Sequence, residues 1–298
     1  MMDRLRDLAS NLTGRLRGVR PADLRRALPA LLPLLVGLLI GLWLALPAQP
    51  LIQRALRSVQ SDNLRLEVGD ATMGLTGIRL SDVAVTAPLK ARFDSVVVRP
   101  RLALLWFNPG VSLYAERGAG SVGGSLGVGA DQDVTLQFDE LDIAEVGLGE
   151  GLPWGLTLAG RLNGEVDLIL PGGQPFEMTG TVDLAVTDGL LTLPEGLLPQ
   201  PAIRLGDVTA RLQANTGVID IERVAVDGSD LSGNLRGKIE LRRPATRSLV
   251  NASLKLRFEE PLRSSLSTLL PLAGFRTEGE AFVRDMRGTL GTFVGGGG

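Results

Sequence analysis

The chain has no cysteine and no histidine. Without cysteine there is no disulfide, no thiol nucleophile and no thiolate metal site. Without histidine the commonest general base and metal ligand are missing. Aromatic residues are scarce, at 4% of 298. These absences argue against an enzyme, so no catalytic, cofactor-binding or metal-ligating residue is assigned. The acidic pairs Asp139/Glu140 and Glu259/Glu260 do not change that reading. Neighbours in a strand face opposite sides and cannot act on one substrate together. The glycine-rich run GSVGGSLGVG, residues 120–129, lacks the Lys-Ser/Thr ending of a phosphate loop and no helical pattern follows it. Neither a nucleotide nor a nucleic acid is an expected partner.

Charge is unevenly spread. The net charge is −2, yet residues 1–27 hold seven arginines and three aspartates. A basic head on an acidic body suggests a membrane boundary between them. LPALLPLLVGLLIGLWLAL, residues 28–46, runs from Leu28 to Leu46 without a charge. Its length matches the ~20 residues that cross a bilayer, and Trp43 suits an interfacial anchor. Arg25 and Arg26 precede it, and the next basic residue is Arg54. The positive-inside bias then predicts a cytoplasmic N-terminus, with residues 47–298 across the membrane. A cleaved signal peptide fits less well, because the apolar run exceeds the usual 7–15 residues and Leu46-Pro47-Ala48 is a poor exit site. QPLIQRALRSVQ, residues 49–60, has helical apolar spacing. It either continues the anchor, lies on the lipid surface, or plugs the end of the following sheet.

The rest reads as strands. LAGRLNGEVDL, residues 158–168, and LSGNLRGKIEL, residues 231–241, share the pattern L-x-G-x-L-x-G-x-[VI]-acidic-L. One face of the first carries Leu158, Gly160, Leu162, Gly164 and Val166. One face of the second carries Leu231, Gly233, Leu235, Gly237, Ile239 and Leu241. That is the period of a strand with one side out of water. FEMTGTVDLAV (176–186) and FRTEGEAFV (275–283) read as looser copies. Further runs at 63–68, 78–87, 94–105, 111–117, 133–141, 156–162, 202–214, 217–228 and 248–258 are separated by turn signals such as Asn108-Pro109-Gly110 and Asn215-Thr216-Gly217. Short loops predict antiparallel hairpins. Residues 259–274 predict one helix, with Pro261 in its first turn and Gly274 beyond its end. The expectation is a mainly β protein: one elongated, curved antiparallel sheet with an apolar concave face. The domains are a basic arm (1–27), a transmembrane helix (28–46), a juxtamembrane linker (47–61) and a β-rich body (62–298).

Glycine on the apolar side of a strand permits two readings. It lets the strand bend or bulge so that the sheet rolls up, or it leaves room for something to approach the backbone. The second makes the eleven positions above a groove for a lipid tail or a partner segment.

Segment 91–128, ARFDSVVVRPRLALLWFNPGVSLYAERGAGSVGGSLGV, resembles a module of AsmA-like envelope proteins. With the apolar span, the glycine-spaced strands and a length near 300, the chain resembles protein N of type II secretion systems (GspN), in its AsmA-like long form. The resemblance covers most of residues 30–290 and rests on apolar and glycine spacing. It implies a bacterial inner-membrane accessory subunit with its main domain in the periplasm and other secretion subunits as partners. AsmA-like relatives imply a second role, holding or conducting phospholipid. No catalytic residue is carried over.

Overall fold

The chain divides into two units, residues 1–48 and 49–298. The computed structural model describes residues 65–74, 77–87, 90–101, 110–127, 129, 131–150, 152, 155–194 and 201–294, all in the second unit. The basic arm, the apolar span 28–46 with Leu28, Trp43 and Leu46, and the helix expected at 49–60 lie outside the described residues. Among the described residues, no helix is long and apolar enough to cross a membrane.

The protein is mainly β. A single antiparallel open sheet has 14 strands. They are β1 (Arg65–Met73), β2 (Ile78–Ala87), β3 (Ala91–Arg101), β4 (Gly110–Arg117), β5 (Gly120–Gly127), β6 (Asp131–Asp142) and β7 (Thr157–Pro171). There follow β8 (Thr179–Thr192), β9 (Ala202–Asn215), β10 (Val218–Asp227), β11 (Leu231–Glu240), β12 (Leu249–Phe258), β13 (Arg276–Glu278) and β14 (Ala281–Thr289). Order in the sheet follows order in the chain until β12, which pairs with β14, leaving the three-residue β13 outermost. The sequence predicts this meander, because short turns can join only neighbouring antiparallel strands.

Among the described residues, four short helices accompany the sheet: α1 (Ile143–Val146), α2 (Leu262–Leu266), α3 (Leu269–Leu272) and α4 (Leu290–Val294). Helix α1 lies between β6 and β7, and α2 and α3 between β12 and β13. All three therefore sit at the end of the sheet where β7, β9 and β11 begin.

Several elements differ from the sequence expectation. The single helix over 259–274 is two helices. Pro271 has no N–H for the carbonyl four residues back, and its ring crowds that carbonyl. FRTEGEAFV is a hairpin and not one strand: Glu278 pairs with Ala281 across Gly279-Glu280, and Gly279 has φ +65°. Two-residue loops of this kind require positive φ, which glycine adopts freely. Phe176 belongs to a 3-10 turn, Pro175–Glu177, and β8 starts only at Thr179. The glycine-rich run at 120 is strand β5.

Bulges flank β7 on both sides. Its register slips against β6 between Phe138 and Leu141, and against β8 between Ala159 and Arg161. Glu140 and Asp188 take positive φ, 47° and 55°. Arg161 bridges the two, donating to Glu140 at 3.2 Å and to Asp188 at 2.6 Å. Asn163 donates to Glu140 at 3.0 Å and accepts its backbone N–H at 2.9 Å. One guanidinium thus pins a left-handed residue on each neighbouring strand.

Candidate functional site

Alternation puts most of the large apolar side chains of the sheet on one face. The register shows how they line up. Phe138 pairs with Gly164, Gly164 with Leu184, and Leu184 with Ala210. Arg211 pairs with Arg223. Their sequence neighbours Ala210 and Val224 point to the opposite face, and Val224 pairs with Leu235, which pairs with Leu254. The two sequence repeats, on β7 and β11, therefore share this face. They stand four strands apart, roughly 19 Å at the usual strand spacing. Arg284 opposes Leu254 on β14, and its guanidinium lies 5.7 Å from the Phe275 ring centroid. It places one cation beside the apolar row.

The eleven sequence candidates do not share one environment. Leu231 is buried in a cluster with Ile203, Leu205, Phe258, Leu262, Leu270 and Phe282, and Leu158 packs against it. Helices α2 and α3 supply two members, so they cover this part of the face. Leu162 packs against a second cluster, Ala91, Ala115, Val122, Leu141 and Val146, where α1 supplies Val146. Val166, Leu235, Ile239 and Leu241 are half-buried and belong to neither cluster. Leu241 follows the last residue of β11. The face is thus covered at one end of the strands and only half-shielded further along.

The four repeated glycines have their neighbours' backbones or side chains where a side chain would go. At Gly164 a Cβ would fall on the carbonyl oxygen of Asp183 and lie 2.8 Å from the Leu184 Cα, and φ is +138°. At Gly237 it would meet Ala252 Cα and Asn251 O of β12. At Gly160 and Gly233 the nearest atoms are Val186 Cγ1 at 2.7 Å and Lys255 O at 2.6 Å. A missing side chain here lets two strands approach closely, a common role of strand glycine. It does not open a hole.

The opposite face is charged. Arg211 lies 2.5 Å from Asp183, Lys238 3.1 Å from Asp220, and Arg276 2.7 Å from Asp285. Three titrations shift among the described residues, and two of them, Arg161 and Arg211, lie there. The Gly118 N–H, followed by Arg117, holds the Asp94 carboxyl below the ordinary aspartate range. Arg161 is raised by Asp188 and Glu140, and Arg211 by Asp183. Among the described residues no group of acidic side chains could hold a metal ion.

Sequence reasoning found β7 and β11 through their repeated spacing. It placed Leu184 on the apolar side of the looser copy 176–186, but did not single out Ala210 and Val224, which with Leu184 link the two repeats into one row. The period-2 signal was present in each of their strands, but only the strand order joins them. Neither a family model, nor a curated protein, nor a solved structure matches this chain.

Proposed function

We propose that this protein is a single-pass, inner-membrane-anchored accessory subunit of a type II secretion system. Residues 28–46 are the anchor, the N-terminus is cytoplasmic, and the sheet stands in the periplasm. The observation that carries the reading is the combination of an uncharged 19-residue run with a long antiparallel meander, apolar on one face. The likeness of segment 91–128 to the AsmA-like module, and of the whole to protein N of the secretion machine, supports it. In this reading the sheet rolls about its apolar face, and the glycines on β7 and β11 allow the close strand approach that rolling needs. The protein acts by contact and not by catalysis.

The test is affinity isolation of the full chain from detergent-solubilised membranes, paired with deletion of its gene. Secretion subunits should co-purify, and the secreted substrates should accumulate in the periplasm of the deletion strain. Normal secretion together with an isolate free of those subunits sinks the proposal.

A second reading is favoured by one observation: Val166, Leu235 and Ile239 remain half-buried outside both clusters. Such a stretch fits an acyl chain, and Arg284 beside it fits an anionic headgroup. A photo-crosslinking residue at position 235 should then capture phospholipid, whereas one at the buried position 231 should not. Equal capture at both positions, or protein alone at 235, overturns the lipid reading.

A further inference from the structure

The charged face of β7–β11 holds a cleft of about 660 Å³, lined among others by Asn163, Asp183, Arg211, Glu222, Arg223 and Arg236. Register explains the convergence. Asp183 on β8 pairs with Arg211 on β9, and Arg211 with Arg223 on β10. Between Ile221 and Val224 the β10 strand bulges, setting Glu222 and Arg223 against the single residue Arg236 of β11. A bulge of this kind puts two residues of one strand opposite one of its neighbour. Three arginines therefore stand on three adjacent strands, which in a sheet are spaced ~4.8 Å apart.

Like charges placed directly opposite in a sheet repel. Some arginines on this face are matched by carboxylates: Arg161 has Glu140 and Asp188, and Arg257 has Glu280. In the cleft, Asp183 is committed to Arg211 at 2.5 Å. Arg223 and Arg236 have no ion pair among the described residues. Even counting Glu222, three cations face two carboxylates.

We propose that this cleft is a binding site for the phosphoryl group of a small phosphorylated molecule, gripped between Arg223 and Arg236. A planar guanidinium fork binds phosphate through paired N–H donors. Two forks arriving from adjacent strands suit a tetrahedral dianion better than a planar carboxylate, which one fork satisfies. The volume lies within the range of ligand sites, roughly 300–1,000 Å³, so the ligand has a body beyond its phosphate. Thr209 lines the cleft with a neutral hydrogen-bonding group for that body, beside Asn163, which is held by Glu140. The site faces away from the apolar row and does not depend on either function proposed above.

The experiment is calorimetric titration of the detergent-solubilised full chain with inorganic pyrophosphate and, in parallel, with dihexanoyl phosphatidic acid. Both should bind, with affinity falling as salt is raised. The double variant Arg223→Gln/Arg236→Gln should lose about 10-fold or more, as expected when charged hydrogen bonds are removed. Arg99→Gln, on the same face but outside the cleft, should leave binding unchanged. A clear preference for the lipid probe assigns the phosphoryl group to a headgroup, and equal binding assigns it to a soluble molecule. No binding of either probe, or the same affinity in the double variant as in the parent, overturns the proposal. Circular dichroism of each variant separates loss of the site from loss of the fold.

Discussion

Helix α1 and the pair α2–α3 both cover the apolar face at the same end of the sheet, and they are built to different standards. Helix α1 has only four residues, yet both ends are closed. The Asp142 carboxylate accepts the N–H of Ala144 at 2.9 Å and of Glu145 at 3.0 Å. Gly147, in the left-handed conformation at φ +86°, terminates it. Its Val146 and the adjacent Leu141 are fully buried, each at 0% exposure. Helices α2 and α3 are closed less completely. Their N-cap residues Pro261 and Thr268 make no side-chain cap. The Glu260 carboxylate accepts a single N–H, that of Ser264, at 3.3 Å, and Ser267-Thr268 interrupts the two helices. They bury Leu262 and Leu270, but leave Leu269 at 50% and Leu272 at 82% exposure. Capping and tight packing go together here. A four-residue helix cannot hold itself together, so α1 exists because its caps and its pocket specify it. The second plug holds on through two buried leucines with Leu266 half-buried beside them, and leaves its remaining leucines largely exposed.

The largest expected effect tests that contrast directly. Leu141→Ala removes a fully enclosed side chain whose cavity the caps and strands prevent from collapsing. The cost should be ~3 kcal/mol, within the range for buried leucine truncation. Leu270→Ala should cost less, ~2 kcal/mol, because the looser plug can settle into the space. Denaturant unfolding of the full chain in detergent measures both. Equal losses would erase the distinction between the two plugs.

A smaller effect isolates the cap. Asp142→Ala leaves two helix N–H groups without their acceptor and should cost ~1 kcal/mol. Asp142→Asn should restore most of it, since the amide oxygen also accepts. The same unfolding assay reads the difference, and failure of asparagine to rescue would mean that charge, and not capping geometry, matters at this position.

Smaller again is a pH-dependent contribution beside α1. Asp94 on β3 accepts the Gly118 N–H at 3.2 Å and pairs with Arg117, holding the β4–β5 turn. Its carboxyl is lowered in the folded protein, first by the Gly118 hydrogen bond and then by Arg117. A lowered folded value means stability that is present above the unfolded pKa, about 3.9, and is lost as pH falls through the folded one. Asp94→Asn should therefore lower stability slightly at neutral pH, where the contribution is fully present, and converge with the parent in acid, giving a shallower decline below about pH 4. An unaltered acid limb would show that Asp94 does not hold that turn.

Much of this arrangement is legible in the sequence. Period-2 alternation and turn signals predict the hairpin meander, and the L-x-G-x-L-x-G repeat marks two strands on the apolar face. Strand β5 escapes because GSVGGSLG offers only Val122 and Leu126 as large apolar residues. Its pairing is supplied by β4 and β6, as in Val122 with Ala115 and Phe138. The role of Gly164 and Gly237 is not readable from one strand, because the atoms that exclude a side chain belong to the next. For the same reason the arginine row of β9, β10 and β11 is invisible until register is known: its members lie 12 and 13 positions apart in sequence. Helix α1 is missed because four residues carry no periodicity, although Asp142 and Gly147 are the cap residues its ends require.

The smallest effect is expected at Leu272, and it completes the comparison. At 82% exposure this side chain contributes almost nothing to the cluster that its neighbour Leu270 joins. Leu272→Ser should therefore shift stability by no more than ~0.5 kcal/mol, as for other surface positions. Leu262→Ser, one helix earlier and 3% exposed, should cost several times that, because it leaves a hydroxyl in an apolar cluster. The pair is measured side by side in the same unfolding assay. A large loss at position 272 would mean that a further covering packs over the second plug and makes it as tight as α1.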